Sequence, residues 1–142
     1  MADQDFVKTG IRGFDELLSG GIPRGNIALV EGAPGTGKTT MGLEFIYRGA
    51  VELDEPGLIV LFEVSPEKII RDTSAFGWNL SELEQSDRVK IIFTTREVFL
   101  AKSNRLIVSY WKKRTALEHG EYSSTSSHYL HRSEREWRPR IV

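Results

Sequence analysis

Residues 26–40 read NIALVEGAPGTGKTT, a short apolar run that passes through a glycine-spaced loop into a threonine pair. The loop contains GxxxxGKT, with Gly32, Gly37, Lys38 and Thr39 in the fixed positions. Four residues between the glycines let the backbone curl around a phosphate so that successive N–H groups converge on its oxygens. Glycine permits the close approach and the positive φ that this needs. A helix starting directly after the loop adds its positive N-terminal end. Lys38 has the length to reach β- and γ-phosphates, and the hydroxyl of Thr39 can ligate the magnesium that bridges them. The candidate nucleotide-contacting residues are Gly32, Ala33, Pro34, Gly35, Thr36, Gly37, Lys38, Thr39 and Thr40, with Thr39 also the metal ligand. A glycine-rich turn that only happens to precede a helix is the competing interpretation. The motif's place between an apolar run and a helical pattern argues against it.

Outward from the loop, the pattern is that of an open α/β sheet. NIALVEG, 26–32, is suited to a strand buried on both faces. TTMGLEFIYRGAVE, about 39–52, has Met41, Phe45 and Val51 at near-helical spacing. After the break DEPG, GLIVLFE, 57–63, is a second buried strand. SPEKIIRDTSAFG then opens with Ser65 as N-cap, Pro66 at the first helical position and Glu67 in the first turn. WNLSELEQSD is a turn with a short helix, and RVKIIFT, 88–94, is a third strand. Upstream, GFDELLSGG is a short amphipathic turn or helix closed by Gly20 and Gly21, and IPRGN is a turn. Strands in this order with helical crossovers run parallel.

The chain of 142 residues has room for one ordinary domain. It contains no cysteine, which excludes a disulfide framework and thiolate metal sites. The polar start MADQDF is unlike a secretory signal, and no apolar run approaches the about 20 residues that span a bilayer. A cytoplasmic protein without membrane contact is the expectation. The net charge of −1 is a sum of unlike parts. Residues 1–100 carry 10 Lys and Arg against 16 Asp and Glu, whereas residues 101–142 carry 9 against 4. His119, His128 and His131 all lie in the second part, and every aspartate lies in the first. A shift this sharp marks a boundary near residue 100. Beyond it, 104–119 has a ragged helical face, and 121–142 has no usable period and is expected to be irregular.

Turnover of a nucleotide needs more than the loop: an acidic side chain in the magnesium shell, and a group that positions the attacking water. Glu63 stands at the carboxyl end of the second strand, where open α/β sheets place their ligands, and is the candidate catalytic base beside Lys38. An ordinary solvated strand end explains Glu63 equally well. The magnesium-shell aspartate would close an apolar strand, and no such segment follows residue 94.

TGIRGFDELLSGGIPRGNIALVEGAPGTGKTTMGLEFIYRGA, followed by GLIVLFEVSPEKIIRDTSAFGWNLSELE, resembles the start of a KaiC-like domain of the RecA-type ATPases. The resemblance covers about residues 8–100. It implies an α/β RecA-type P-loop core with a mainly parallel sheet, magnesium-ATP binding and ATPase chemistry. It also implies assembly, in many relatives, into homo-oligomeric hexamers that work with protein partners; some RecA relatives bind DNA. Many relatives carry paired glutamates at the end of the second strand, where this chain has Glu63 followed by Val64. A full core is also considerably longer and contains the acidic strand that is lacking here. The expected fold is therefore incomplete, with hydrolysis impaired.

The tail has two readings. Read one base earlier, each codon joins the third base of one residue's codon to the first two of the next. Trp111 followed by Lys112 then forces glutamate, and allowed third bases from Ala101 onward yield EIQQADSLLLEEADRLGARRIFID. That string is an amphipathic helix followed by an apolar strand ending in aspartate, so 101–142 reads as a frameshifted remnant. Alternatively it is a genuine basic tail for nucleic acid, for which Trp111 beside Lys112, Lys113 and Arg114 speaks. Regular basic-aromatic interleaving is absent, which disfavours the second reading.

Overall fold

The computed structural model describes residues 5–102, Arg105 and the pair 140–141. The chain order is β1 (Phe6–Val7), α1 (Phe14–Leu17), β2 (Ile22–Pro23), α2 (Lys38–Glu52), β3 (Gly57–Leu61), α3 (Pro66–Ser74), α4 (Leu80–Gln85), β4 (Val89–Phe93) and β5 (Arg140–Ile141). A three-stranded sheet has the order β4-β3-β5. β3 and β4 run parallel in full register, Gly57 opposite Val89 through Leu61 opposite Phe93. β5 adds in parallel only at Gly57 and Leu58.

The core lies on one face of this sheet. Alternation along a strand puts Ile59, Val89 and Ile91 on the same side. They pack with Leu43, Ile46 and Ala50 of α2, Ile69 of α3, and Leu80 and Leu83 of α4. On α2 the buried stripe is Leu43, Ile46, Gly49 and Ala50, spaced by three and four residues as a one-sided helix requires. Val51, one of the three apolar positions noted at near-helical spacing, is exposed. The helix sits very close to the sheet: a Cβ on Gly57 would come 2.5 Å from Cγ2 of Ile46. No larger residue fits there without displacing the helix.

Local chemistry sets the helix starts. Ser65 is extended and accepts from Lys68 N at 3.4 Å, with Pro66 at the first position of α3, as its sequence indicates. Asn79 caps α4 in the same way, accepting from Glu82 N at 3.2 Å. After β4, Thr95 accepts from Val98 N and opens a helical stretch over 96–102. The FGW segment closes α3. Gly77 takes a positive φ of 76°, and Trp78 turns back between Phe76 and Tyr47, with ring centroids 5.0 and 5.7 Å away. The outer edge of β4 is shielded by Glu84, whose carboxylate accepts from Ile91 N at 3.3 Å and from Lys90 at 3.2 Å.

The N-terminal segment differs from expectation. IPRGN does not form a turn alone: Ile22 and Pro23 pair antiparallel with Val7 and Phe6. Arg24 fixes this ribbon to the body, reaching Asp5 at 2.7 Å and Glu55 at 3.3 Å.

The largest departure is at 26–32. The run is not a strand and is not buried: Ile27 is 97% exposed, Leu29 80% and Val30 45%. An all-apolar strand needs a neighbour along each edge and cover on both faces, and the described residues provide neither. The helix expected at 104–119 and the irregular segment 121–142 lie outside the described residues, apart from Arg105 and the pair 140–141. So does most of the basic part beyond the boundary at 100.

Candidate functional site

The glycine-spaced loop leads straight into α2. Gly37 is the N-cap with φ 89°, and Gly35 has φ 81°; both are left-handed, a conformation that side chains resist. Met41 N donates to Gly37 O at 2.8 Å, which begins the helical ladder. The N–H groups of Lys38, Thr39 and Thr40 precede that bond and have no acceptor four residues back, the general condition of a helix start. No acidic residue occupies the first turn of α2, so nothing there neutralises its positive end.

Within the loop, Thr36 is a brace. Its N–H and its hydroxyl both donate to Ala33 O, at 3.3 and 2.8 Å. A Cβ at position 32 would meet the same hydroxyl at 2.8 Å, so this curl needs glycine there. Lys38 folds back over the curl, and Nζ donates to Gly32 O and to Ala33 O, each at 2.8 Å. Its charge is thus held against the loop's own carbonyls. Pro34 and Thr39 are exposed, and Lys38 and Thr40 are half-buried. All nine residues proposed from the sequence, 32–40, lie in this one loop and first helical turn.

The residues present fit a polyphosphate: left-handed glycines, unpaired amides at a helix start, and one lysine within the loop. They fit a magnesium ion only in part. Thr39 offers one hydroxyl, and no group of three or more His, Cys, Asp or Glu side chains among the described residues could hold a metal.

Glu63 lies just beyond β3, as expected, but its partner is not in the loop. Arg96, just beyond β4, reaches its carboxylate at 3.3 Å, with both side chains more than 70% exposed. Parallel pairing of β3 with β4 brings the two strand ends together and so produces this contact. Among the described residues no hydrogen bond or ion pair joins Glu63 to 32–40.

Sequence reasoning missed the role of Asp15. Its carboxylate accepts from Thr9 N at 2.7 Å, Thr9 hydroxyl at 2.8 Å and Gly10 N at 3.3 Å. Partial burial works to raise its pKa, but these three bonds outweigh it, and the group titrates below the usual aspartate range. Thr9 is fully buried, and a Cβ on Gly10 would come 2.9 Å from Cβ of Arg48 on α2. The TG and FDE pieces of TGIRGFDE are thus one structural latch. An acid five and six residues beyond two consecutive amides, the first of them buried, was the available signal.

A parallel sheet with helices packed against it and a lysine-bearing phosphate loop at a helix start define an incomplete RecA-type α/β domain of the P-loop class. The family model described as ATPase: KaiC matches residues 7–118. The chain belongs to that family. It is 37% identical over 125 residues to the circadian clock oscillator protein KaiC of Prochlorococcus marinus, covering 79% of this chain and 25% of that protein. It is 46% identical over 86 residues to a UPF0273 protein of Sulfurisphaera tokodaii, covering 61% of this chain and 30% of the relative. Among solved structures, the KaiC-like protein of the hyperthermophilic archaeon Pyrococcus horikoshii OT3 superimposes with a TM-score of 0.69 at 39% identity. That match covers 75% of this chain and 49% of the archaeal one. The chain thus spans between a quarter and a half of the length of these relatives. The family match extends to residue 118, beyond the charge boundary near residue 100. Among the described residues no helix is long and apolar enough to cross a membrane.

Proposed function

We propose that this chain binds ATP with magnesium through residues 32–40, weakly and with negligible hydrolysis, as a cytoplasmic nucleotide-binding unit. Membership in an ATPase family supports nucleotide binding. The observation that carries the rest is the loop itself: left-handed Gly35 and Gly37, the amides that precede the first helical bond of α2, and Lys38 close at hand. Nucleotide binding must draw Lys38 off two carbonyls, and residues 27–31, which lead into the loop, are exposed and make no backbone hydrogen bond among the described residues. Both lower affinity. Among the described residues no group of three or more His, Cys, Asp or Glu side chains could hold a metal with Thr39, and Glu63 is engaged with Arg96. In this reading Lys38 and the loop amides hold phosphates and Thr39 ligates magnesium; Glu63 contributes little.

The test is a titration of the purified chain with a fluorescent ATP analogue, with and without magnesium, beside a phosphate-release assay. Magnesium-dependent binding without release is expected. Release abolished by Lys38→Ala would establish an active ATPase instead, and absence of any binding would remove the proposal. Retention on DNA that falls steeply with salt, and is lost when 101–142 are deleted, would favour the basic-tail reading. The frameshift reading of 101–142 is tested by the coding DNA: it fails if no alternative frame encodes the helix and the apolar strand ending in aspartate.

A further inference from the structure

Three donors meet at the carbonyl oxygen of Ala33: the Thr36 hydroxyl at 2.8 Å, Lys38 Nζ at 2.8 Å and the Thr36 amide at 3.3 Å. A carbonyl oxygen has two lone pairs, so one donor is in excess, and the longest bond is that of the amide. Two of the three, Lys38 Nζ and the Thr36 amide, are groups that a phosphate in the loop would take for itself. The third is a side-chain hydroxyl reaching back three residues, a local bond that holds a carbonyl without drawing on the backbone. The same hydroxyl fills the space over Gly32, where a Cβ would meet it at 2.8 Å and Cδ of Lys38 at 3.9 Å. Thr36 and the lysine stem therefore share one side of the curl.

We propose that Thr36 is a positioning residue of this site: its hydroxyl keeps the Ala33 carbonyl bonded, so that Lys38 Nζ and the Thr36 amide can turn to phosphate without orphaning that oxygen or unwinding the curl. The inference rests on the reading that residues 32–40 bind ATP. In the empty loop the hydroxyl shares the carbonyl with the lysine; in the filled loop it holds the carbonyl by itself. Valine has the same shape without the donor. With valine the carbonyl depends on the lysine and the amide, and binding must break both bonds with nothing left in their place. Serine keeps the donor and loses only a methyl group, so the two substitutions separate the hydroxyl from the bulk of the side chain.

The experiment titrates the full 142-residue chain and its variants with a fluorescent ATP analogue and magnesium. Thr36→Val is expected to lower affinity roughly two- to tenfold, the range that one net hydrogen bond spans. Its melting temperature should not change, because Thr36 is exposed. Thr36→Ser is expected to recover most of the lost affinity. Ser74→Ala removes a hydroxyl that donates in the same way to Ile70 O, at 2.7 Å on α3, and should leave affinity as it is. In a Lys38→Ala background the loss on Thr36→Val is expected to shrink, since no lysine then has to leave the carbonyl. Full affinity in Thr36→Val, no recovery in Thr36→Ser, or a loss that simply adds to that of Lys38→Ala overturns the proposal. So does a lowered melting temperature in Thr36→Val, which would make the hydroxyl a contact of the fold. If the unaltered chain binds no analogue, the ATP reading fails and the proposal falls with it. If the unaltered chain and Thr36→Val bind equally well, the proposal alone fails.

Discussion

Lys38 Nζ lies 2.8 Å from the carbonyl oxygen of Gly32, inside the loop that its own sequence position defines. The loop and its lysine satisfy one another, so the arrangement holds without a ligand and must open to take one. Lys38→Ala removes the group that would face the phosphates. Charge-assisted hydrogen bonds are worth about 1.5–3 kcal/mol, so affinity for an ATP analogue should fall roughly ten- to a hundredfold. The carbonyls released are exposed, so the melting temperature should stay nearly unchanged. A large drop in melting temperature would show that the lysine is structural instead.

Gly57→Ala places a methyl 2.5 Å from Cγ2 of Ile46. Overpacking of this kind costs about 1–3 kcal/mol, read as a lower urea midpoint with an unchanged slope. Combining it with Ile46→Ala should recover part of that loss, because the second change removes the colliding atoms. If the two losses simply add, the collision is not their common cause.

The Asp15 latch makes stability depend on pH. Its folded pKa is depressed below the value of the unfolded chain, which is about 3.9. The contribution is therefore fully present above that value and is lost as pH falls through the folded one. Melting temperatures of the chain and of Asp15→Asn should differ by a constant amount from pH 7 to 5, then converge in more acid buffer. A constant gap throughout would mean that the carboxylate's charge plays no part.

Ser65→Ala removes the N-cap of α3 and should cost about 1 kcal/mol. Arg96→Ala breaks the exposed contact with Glu63 and should cost between about 0 and 1 kcal/mol. Neither change should alter affinity for the ATP analogue. Glu63→Gln is expected to leave phosphate release at the level of buffer, as in the unaltered chain.

Local signals carried much of this fold. The Ser65-Pro66-Glu67 start, the strands about 57–61 and 89–93, and the phosphate loop each depend on a few consecutive residues, and each formed as its chemistry requires. Nonlocal features were harder to read. NIALVEG has the composition of a buried strand, but burial depends on what stands beside it, which composition cannot report. The β1–β2 ribbon is two residues long and includes Pro23, below the length at which alternation is visible. Likewise the helical spacing of Met41, Phe45 and Val51 did not single out the residues that face the sheet, which are Leu43, Ile46 and Ala50. At the site, the start of the helix directly after the loop was legible. The Glu63–Arg96 contact was not, because it depends on two strand ends meeting across the sheet.

The stack of Tyr47 on Trp78 makes the molecule its own optical reporter. Tyr47 belongs to the helix that begins at Lys38, so any tilt of that helix on filling the loop changes the ring against which Trp78 rests. The other two tryptophans, Trp111 and Trp137, lie outside the described residues and can be replaced by phenylalanine. The remaining indole then follows the loop by emission and near-ultraviolet dichroism, with no label attached.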